Sequence, residues 1–347
     1  MKFPLADWID SHPAVRHNLA QSGMVGAIHR PILSPQERRS TDPEELRSEL
    51  AGVIGVASDR LFLTHGATEA NAWATLYVGR SLGPRVGTCR VRFPEYPPLY
   101  DGARAAGFEV TSDDRPADLA IVSQPRNPEG DEWPEERLLE WASGSRHLLV
   151  DETFREFGER RSLATGPHER LWVTGSFTKF FAGDDLRVGF VVVPSEEEEA
   201  FARFIGLFAN GIPAASVAGA LSAIRHRTRI HRDVDRLLTA NRRALARAFP
   251  GGSPPVAPVW FDRTGPRSAD LARRLLAASV LVCPGSYFGD PGGNRICLTR
   301  RTFPTDLGAY LAVRGPEPPA PVRVASGTAR SARPRPGETG PGRAGRA

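Results

Sequence analysis

Of the 45 basic residues in this 347-residue chain, only Lys2 and Lys179 are lysine. Arginine replaces lysine for solubility and most ion pairs, but a guanidinium does not readily form an imine with an aldehyde. A lone internal lysine in so arginine-biased a chain points to amine chemistry at Lys179, with an ordinary surface lysine as the competing reading. Its neighbours are Ser176-Phe177-Thr178 before it and Arg187 eight residues beyond. Hydroxyls with an arginine make a phosphate grip. Four other clusters carry candidate chemistry. Thr64-His65-Gly66-Ala67-Thr68-Glu69 sets small residues at a helix start, where backbone N–H groups and the dipole favour an anion. Taken alone it is equally a capped turn. Phe93-Pro94-Glu95-Tyr96-Pro97-Pro98 holds Tyr96 rigidly, either to stack on a planar ring or to pack under a Pro-rich loop. In Gln124-Pro125-Arg126-Asn127-Pro128-Glu129-Gly130, Asn127 ends a strand and can turn its amide outward, or simply opens an Asn-Pro turn. Asp151 follows the apolar run His147–Val150, and a carboxylate at the end of a buried strand needs a cation. A pyridinium N–H would be one such partner and a structural arginine another.

These clusters follow short apolar runs that read as strands at 60–64, 85–92, 119–123, 147–150, 171–174 and 188–193. Helical patterns at 68–78, 99–106 and 134–143 fall between several of them. Such alternation predicts an α/β fold: a three-layer large domain with a mostly parallel sheet, followed by a smaller α+β domain. In such sheets ligands bind at the carboxyl ends of the strands, where the unusual residues lie. The expected organisation is an arm and substrate-side loop over 1–40, a large domain over 41–210 and a small domain over 211–314. A disordered tail rich in Pro, Gly and Arg is expected over 315–347. Thr41 or Asp42 should cap a helix with Pro43 in its first turn, and a long helical stretch is expected over 216–249.

Composition removes several function classes. The net charge is +5, but the tail holds six Arg and two Glu, which leaves the remainder about neutral. No basic stripe marks the folded part, so a nucleic-acid partner is not expected. No apolar run reaches the 18 residues of a membrane helix, and the first residues lack an apolar signal region, so a cytoplasmic protein is expected. Cys89, Cys283 and Cys297 are too widely spaced for a disulfide framework or a zinc site, and no metal is expected.

In this order, the five clusters resemble the pyridoxal-phosphate-dependent aminotransferases of the aspartate aminotransferase fold (fold type I). The subgroup around histidinol-phosphate aminotransferase and threonine-phosphate decarboxylase is the most similar. The resemblance covers roughly residues 40–314. It implies that Lys179 is the Schiff-base lysine and that Asp151 holds the ring nitrogen protonated. It further implies that Asn127 bonds the ring hydroxyl, that Tyr96 stacks on the ring, and that Gly66, Ala67, Thr68, Ser176 and Arg187 hold the phosphate. Arg295, in Asn294-Arg295-Ile296-Cys297-Leu298, matches the arginine that binds the substrate carboxylate; Asn127 also borders the substrate. The implied reaction moves an amino group between an α-amino acid and a keto acid, in a homodimer. Decarboxylation, cyclisation or oxidation with the same cofactor site, and a non-catalytic regulatory protein, are the alternatives. Two positions depart from the pattern. Phe154 stands where relatives have a tyrosine that bonds the ring oxygen, and Arg39-Ser40-Thr41-Asp42-Pro43 lacks the tyrosine that reaches a partner's phosphate. Thr153, Phe154 and Thr178 replace the histidines of acyl-transferring and desulfurase relatives, which disfavours those reactions. The segment Arg16–Met24 is a candidate lid over the substrate.

Overall fold

The computed structural model describes residues 4–12, 15–24, 41–112, 115–208, 211–265 and 268–315. Residues 316–347 of the expected tail, and Arg39 and Ser40, lie outside these. Helix α1 (Pro4–Asp10) and the two-residue strand β1 (His17–Asn18) come first. Helix α2 (Pro43–Ile54) is bounded as its sequence asks. The Asp42 carboxylate accepts from the Glu44 N–H at 2.9 Å, Pro43 sits where no N–H is needed, and Gly55 closes the helix at φ 91°.

From there strands and helices alternate: β2 (Leu61–Thr64), α3 (Ala67–Ser81), β3 (Thr88–Val91), α4 (Pro97–Ala105), β4 (Glu109–Thr111), β5 (Leu119–Ser123), α5 (Glu135–Trp141), β6 (His147–Asp151), β7 (Leu171–Ser176), β8 (Gly189–Val192) and α6 (Glu198–Ile205). The seven strands form one sheet in the order β2-β8-β7-β6-β5-β3-β4. Only β8 runs antiparallel to its neighbours; the other pairings are parallel. Both faces are covered, as a mostly parallel sheet requires. Leu148 and Val150 of β6 enter one core with α2 and α5, while Leu149 enters a second core with α3, α4 and α6. Trp172 of β7 likewise faces opposite to Leu171 and Val173. This period of two, with helices on each side, makes the three layers.

The chain continues through α7 (Ala214–Arg225), α8 (Arg227–Ala248), β9 (Val259–Asp262), α9 (Ser268–Ala277), β10 (Val280–Leu281), β11 (Cys283–Pro284), β12 (Asn294–Cys297) and α10 (Phe303–Arg314). Strands β11, β12 and β9 form an antiparallel sheet, and β1 pairs in parallel with β10. The long helical stretch expected over 216–249 is two helices. His226 departs from helical geometry at φ −97°, ψ 9°, and its ring nitrogen Nδ1 takes up the Ser222 carbonyl at 2.8 Å. Beyond that break α8 buries Ile230, Val234, Leu238, Asn241 and Leu245, the stripe of an amphipathic helix.

Candidate active site

A cavity of about 330 Å³ opens beside the carboxyl ends of β5, β6 and β7. Its walls bring together Ala67, Thr68, Tyr96, Asn127, Asp151, Ser176, Lys179, Arg187 and Arg295, residues spread over more than 220 positions of sequence. Gly66 lies just behind, against Arg187.

One end of the cavity is built for an anion. Gly66 caps α3 with φ 96° and offers no side-chain acceptor, so the first N–H groups of the helix, beside Ala67 and Thr68, are left for a ligand. A Cβ at Gly66 would stand 3.0 Å from the Arg187 Nη2. One at Gly189 would stand 2.4 Å from the Gly66 carbonyl carbon, so both positions need glycine for the two chains to approach. Arg187 itself has φ 50°, a left-handed conformation costly for a side-chain-bearing residue, and its Nη2 donates to the His65 carbonyl at 3.3 Å. The Ser176 and Thr178 hydroxyls lie 2.6 Å apart on the same wall.

Asp151 ends β6, one residue past the predicted strand, and is 4% exposed. Its Oδ2 accepts from the Asn71 amide at 2.8 Å and its Oδ1 from the Thr153 N–H at 2.8 Å. Asn71 is itself oriented by the Thr174 hydroxyl, which donates to its Oδ1 at 2.6 Å. Burial pushes the Asp151 carboxyl up, against these hydrogen bonds and the charge of Lys179. No arginine or lysine among the described residues lies within ion-pair distance of it. Lys179 reaches the cavity from the turn after β7, its Nζ 3.8 Å from the Asp184 carboxylate. Burial holds its ammonium below the usual lysine value; Asp184 opposes this, while Arg295 and Arg187 add to it.

Arg295 stands on β12 opposite Cys283 of β11, 2% exposed. Nη1 donates to Asn127 Oδ1 at 2.9 Å, and Nη2 to the Ala20 carbonyl at 3.0 Å and to the Cys283 sulfur at 3.2 Å. Its Nε is buried with no hydrogen-bond partner among the described residues, and no carboxylate pairs with it. A buried guanidinium with donors to spare is an anion receptor. Because Asn127 Oδ1 faces Arg295, the Asn127 NH₂ is left to donate elsewhere. The segment Arg16–Met24 is firmly built in: Leu19, Ala20 and Met24 are fully buried, and the Leu19 carbonyl accepts from the Cys297 N–H at 2.7 Å. Its Ala20–Gly23 stretch forms one wall of the cavity.

Several participants are not singled out by the sequence. Asn71 sits in the buried stripe Ala70, Asn71, Ala74, Thr75, Val78 of α3, and a polar residue in such a stripe is the available signal. Leu5 and Ile9 of α1 line the cavity, beside Phe154, which the sequence does single out. Glu95 is 1% exposed directly before Tyr96.

These features suit pyridoxal phosphate. Asp151 is a buried carboxylate waiting for a cation, the Gly66–Gly189 approach leaves a cradle that a Cβ would fill, and Lys179 offers an amine between them. Comparisons with known proteins agree. The chain is 25% identical over 315 residues to 4-dedimethylamino-4-oxo-anhydrotetracycline transaminase OxyQ of Streptomyces rimosus, covering 83% of this chain and 85% of that protein. It is 29% identical over 283 residues to histidinol-phosphate aminotransferase 1 of Bradyrhizobium diazoefficiens, covering 75% and 78%. Its fold matches aspartate aminotransferase from Thermus thermophilus with a TM-score of 0.73 at 18% identity, over 90% of this chain and 97% of that one. The family model described as aminotransferase class I and II matches residues 109–303, more than half of the chain. On that match the chain belongs to the class I and II aminotransferases and is a pyridoxal-phosphate-dependent enzyme.

Proposed function

We propose that this cavity moves an amino group between an α-amino acid and a keto acid, with Lys179 as the covalent anchor of the cofactor and the base at the substrate Cα. The observation that carries the reading is the meeting of the sole internal lysine with a buried, cation-free carboxylate in one cavity. When bound, pyridoxal phosphate supplies an aldehyde to take the amino group and a ring to accept the electron pair released at Cα. The remaining work falls to the chain's own side chains. Asp151 holds a proton on the ring nitrogen, and Asn127 donates its NH₂ to the ring oxygen. Tyr96 supplies an aromatic face. The helix start at Ala67 and Thr68, with Ser176 and Arg187, holds the phosphate. Arg295 binds the substrate carboxylate and so orients Cα. Lys179, as a free amine, takes and returns the Cα proton; its lowered pKa favours the unprotonated state a base must have. Asp184, 3.8 Å away, steadies the ammonium that results.

The reading extends to a cytoplasmic homodimer. Leu207 and Phe208, 72% and 53% exposed, form an apolar patch with Phe208 stacked on Trp73, which supports burial against a second copy. No helix among the described residues is long and apolar enough to cross a membrane. The test is to incubate the holoprotein with a panel of amino and keto acids while following the cofactor spectrum and the products. Keto acid should form from the amino acid in step with amination of the acceptor, and borohydride should fix the cofactor on Lys179. Release of carbon dioxide without keto acid, or a label on Lys2, would overturn the reading.

A further inference from the structure

Glu95 is a buried acid that the chemistry above does not use. Its Oε1 accepts from the Ser123 hydroxyl at 2.6 Å and from the Tyr96 N–H at 2.6 Å, and its Oε2 from the Ser123 N–H at 2.9 Å. The Ser123 oxygen in turn accepts from the Asn127 N–H at 2.9 Å, and Asn127 Oδ1 accepts from Arg295 at 2.9 Å. Hydrogen bonds joined by the covalent frame of Asn127 thus connect Glu95, at the end of the large sheet, to Arg295 on β12. No arginine or lysine among the described residues lies within ion-pair distance of Glu95.

We propose that Glu95 is a positioning residue of the active site: it fixes the two loops that carry Tyr96 and Asn127 and, through Asn127, the guanidinium of Arg295. The inference rests on the reading that Tyr96 and Asn127 face the cofactor ring. The ionised acid accepts all three contacts. Protonation replaces one acceptor by a donor, so the Ser123 hydroxyl must turn to accept from it or a contact is lost, and the hold on the two loops weakens. Burial pushes this carboxyl up to about 8; the hydrogen bonds from Ser123 and Tyr96 oppose the rise and the charge of Asp151 adds to it. Asp151 faces it from β6, where it stands beside Ser123 in register. Tyr96, which precedes α4, and Tyr100 on α4 are the other titratable groups around it, with Arg295 reached through Asn127. The site should therefore tighten as pH rises through about 8.

The test compares wild type with Glu95→Gln and Ser123→Ala. In the cofactor-free proteins the readout is the melting temperature from pH 5 to 9. A carboxyl whose folded pKa is raised stabilises the fold fully below the ordinary carboxylate range and loses that contribution as pH rises through the folded value. The Tm of wild type should accordingly fall relative to Glu95→Gln across this interval. In the holoenzymes, kcat/KM for an amino acid should rise through an inflection near pH 8 in wild type. That inflection should vanish in Glu95→Gln, leaving it about tenfold slower at pH 9 with cofactor content unchanged. Ser123→Ala removes a donor to the ionised acid and should move the inflection to higher pH, so the proposal stays testable if Glu95→Gln fails to fold. Parallel Tm curves, or an inflection unchanged in both variants, would overturn it. Failure of borohydride to fix the cofactor on Lys179 would overturn the site reading and this inference with it. If the lysine is labelled and the inflection persists, Glu95 alone loses its role.

Discussion

Replacing Arg295 with lysine isolates the proposed substrate-carboxylate site from the rest of the cavity. The guanidinium has five donors, and three are spent on Asn127 Oδ1, the Ala20 carbonyl and the Cys283 sulfur. The thiol is a weak acceptor that a carboxylate can displace. An ammonium has three donors on a single atom; keeping Asn127 and Ala20 leaves it one, with no planar fork to match a carboxylate. The position is 2% exposed, so water cannot make good the lost contact. Loss of a desolvated charge-assisted pair of this kind is worth roughly 2–4 kcal/mol, or about 30- to 1000-fold in kcat/KM. The assay is steady-state turnover of an α-amino acid and of its carboxamide, with cofactor content read from absorbance. Arg295→Lys should penalise the acid by that factor, the amide far less, and cofactor binding hardly at all. An unchanged kcat/KM for the acid, or an equal loss for acid and amide, would show that another group binds the carboxylate.

Asp151→Asn removes the charge proposed to pair with the ring nitrogen; kcat should fall by about two orders of magnitude or more while the cofactor is retained, measured at saturating amino acid. Gly66→Ala places a Cβ 3.0 Å from Arg187 Nη2 at φ 96°, ψ 168°, a region essentially reserved to glycine, and the strain of about 1–3 kcal/mol should weaken cofactor binding roughly tenfold in a spectroscopic titration. Glu156 tests stability away from the cavity. Burial works against its charge, but His231, Arg155 and Arg227 hold the carboxyl down to about 2. Its contribution is present above the ordinary carboxylate range and lost as pH falls through that value, so wild type should exceed Glu156→Gln by about 3 kcal/mol near pH 7 and lose the advantage between pH 5 and 2, in urea titrations.

Lys179 was legible because composition isolates it, and Asp151 because a carboxylate closing an apolar strand is a local signal. The alternation of β2 to β8 with helices was legible for the same local reason. Strand direction was not: nothing in Gly189–Val192 distinguishes an antiparallel strand from its parallel neighbours. Strands β1, β10 and β11 have two residues each, too short for any periodicity. Arg295 taken alone is one arginine in a four-residue strand, and only its register in the family pattern singles it out. Asn71 and Glu95 take their meaning from partners 80 and 28 residues away, which local patterns do not encode. The same holds for His226, whose ring Nδ1 and backbone N–H share the Ser222 carbonyl at the junction of the two helices.

The parallel pairing of β1 with β10 has a consequence for the order in which the enzyme is made. Ala20 and Arg295, which share a hydrogen bond, are separated by 275 residues, and Leu19 bonds Cys297 across a similar span. At ribosomal rates of about 5–20 residues per second, the first segment waits roughly 14–55 s for its partner to be synthesised. The seven-stranded sheet, complete by Val192, needs no residue from that late segment for its own pairings. A nascent chain can therefore assemble Lys179, Asp151 and the Gly66 turn while Arg295 is still untranslated. The residues proposed to grip the cofactor can thus meet before the one proposed to grip the substrate exists.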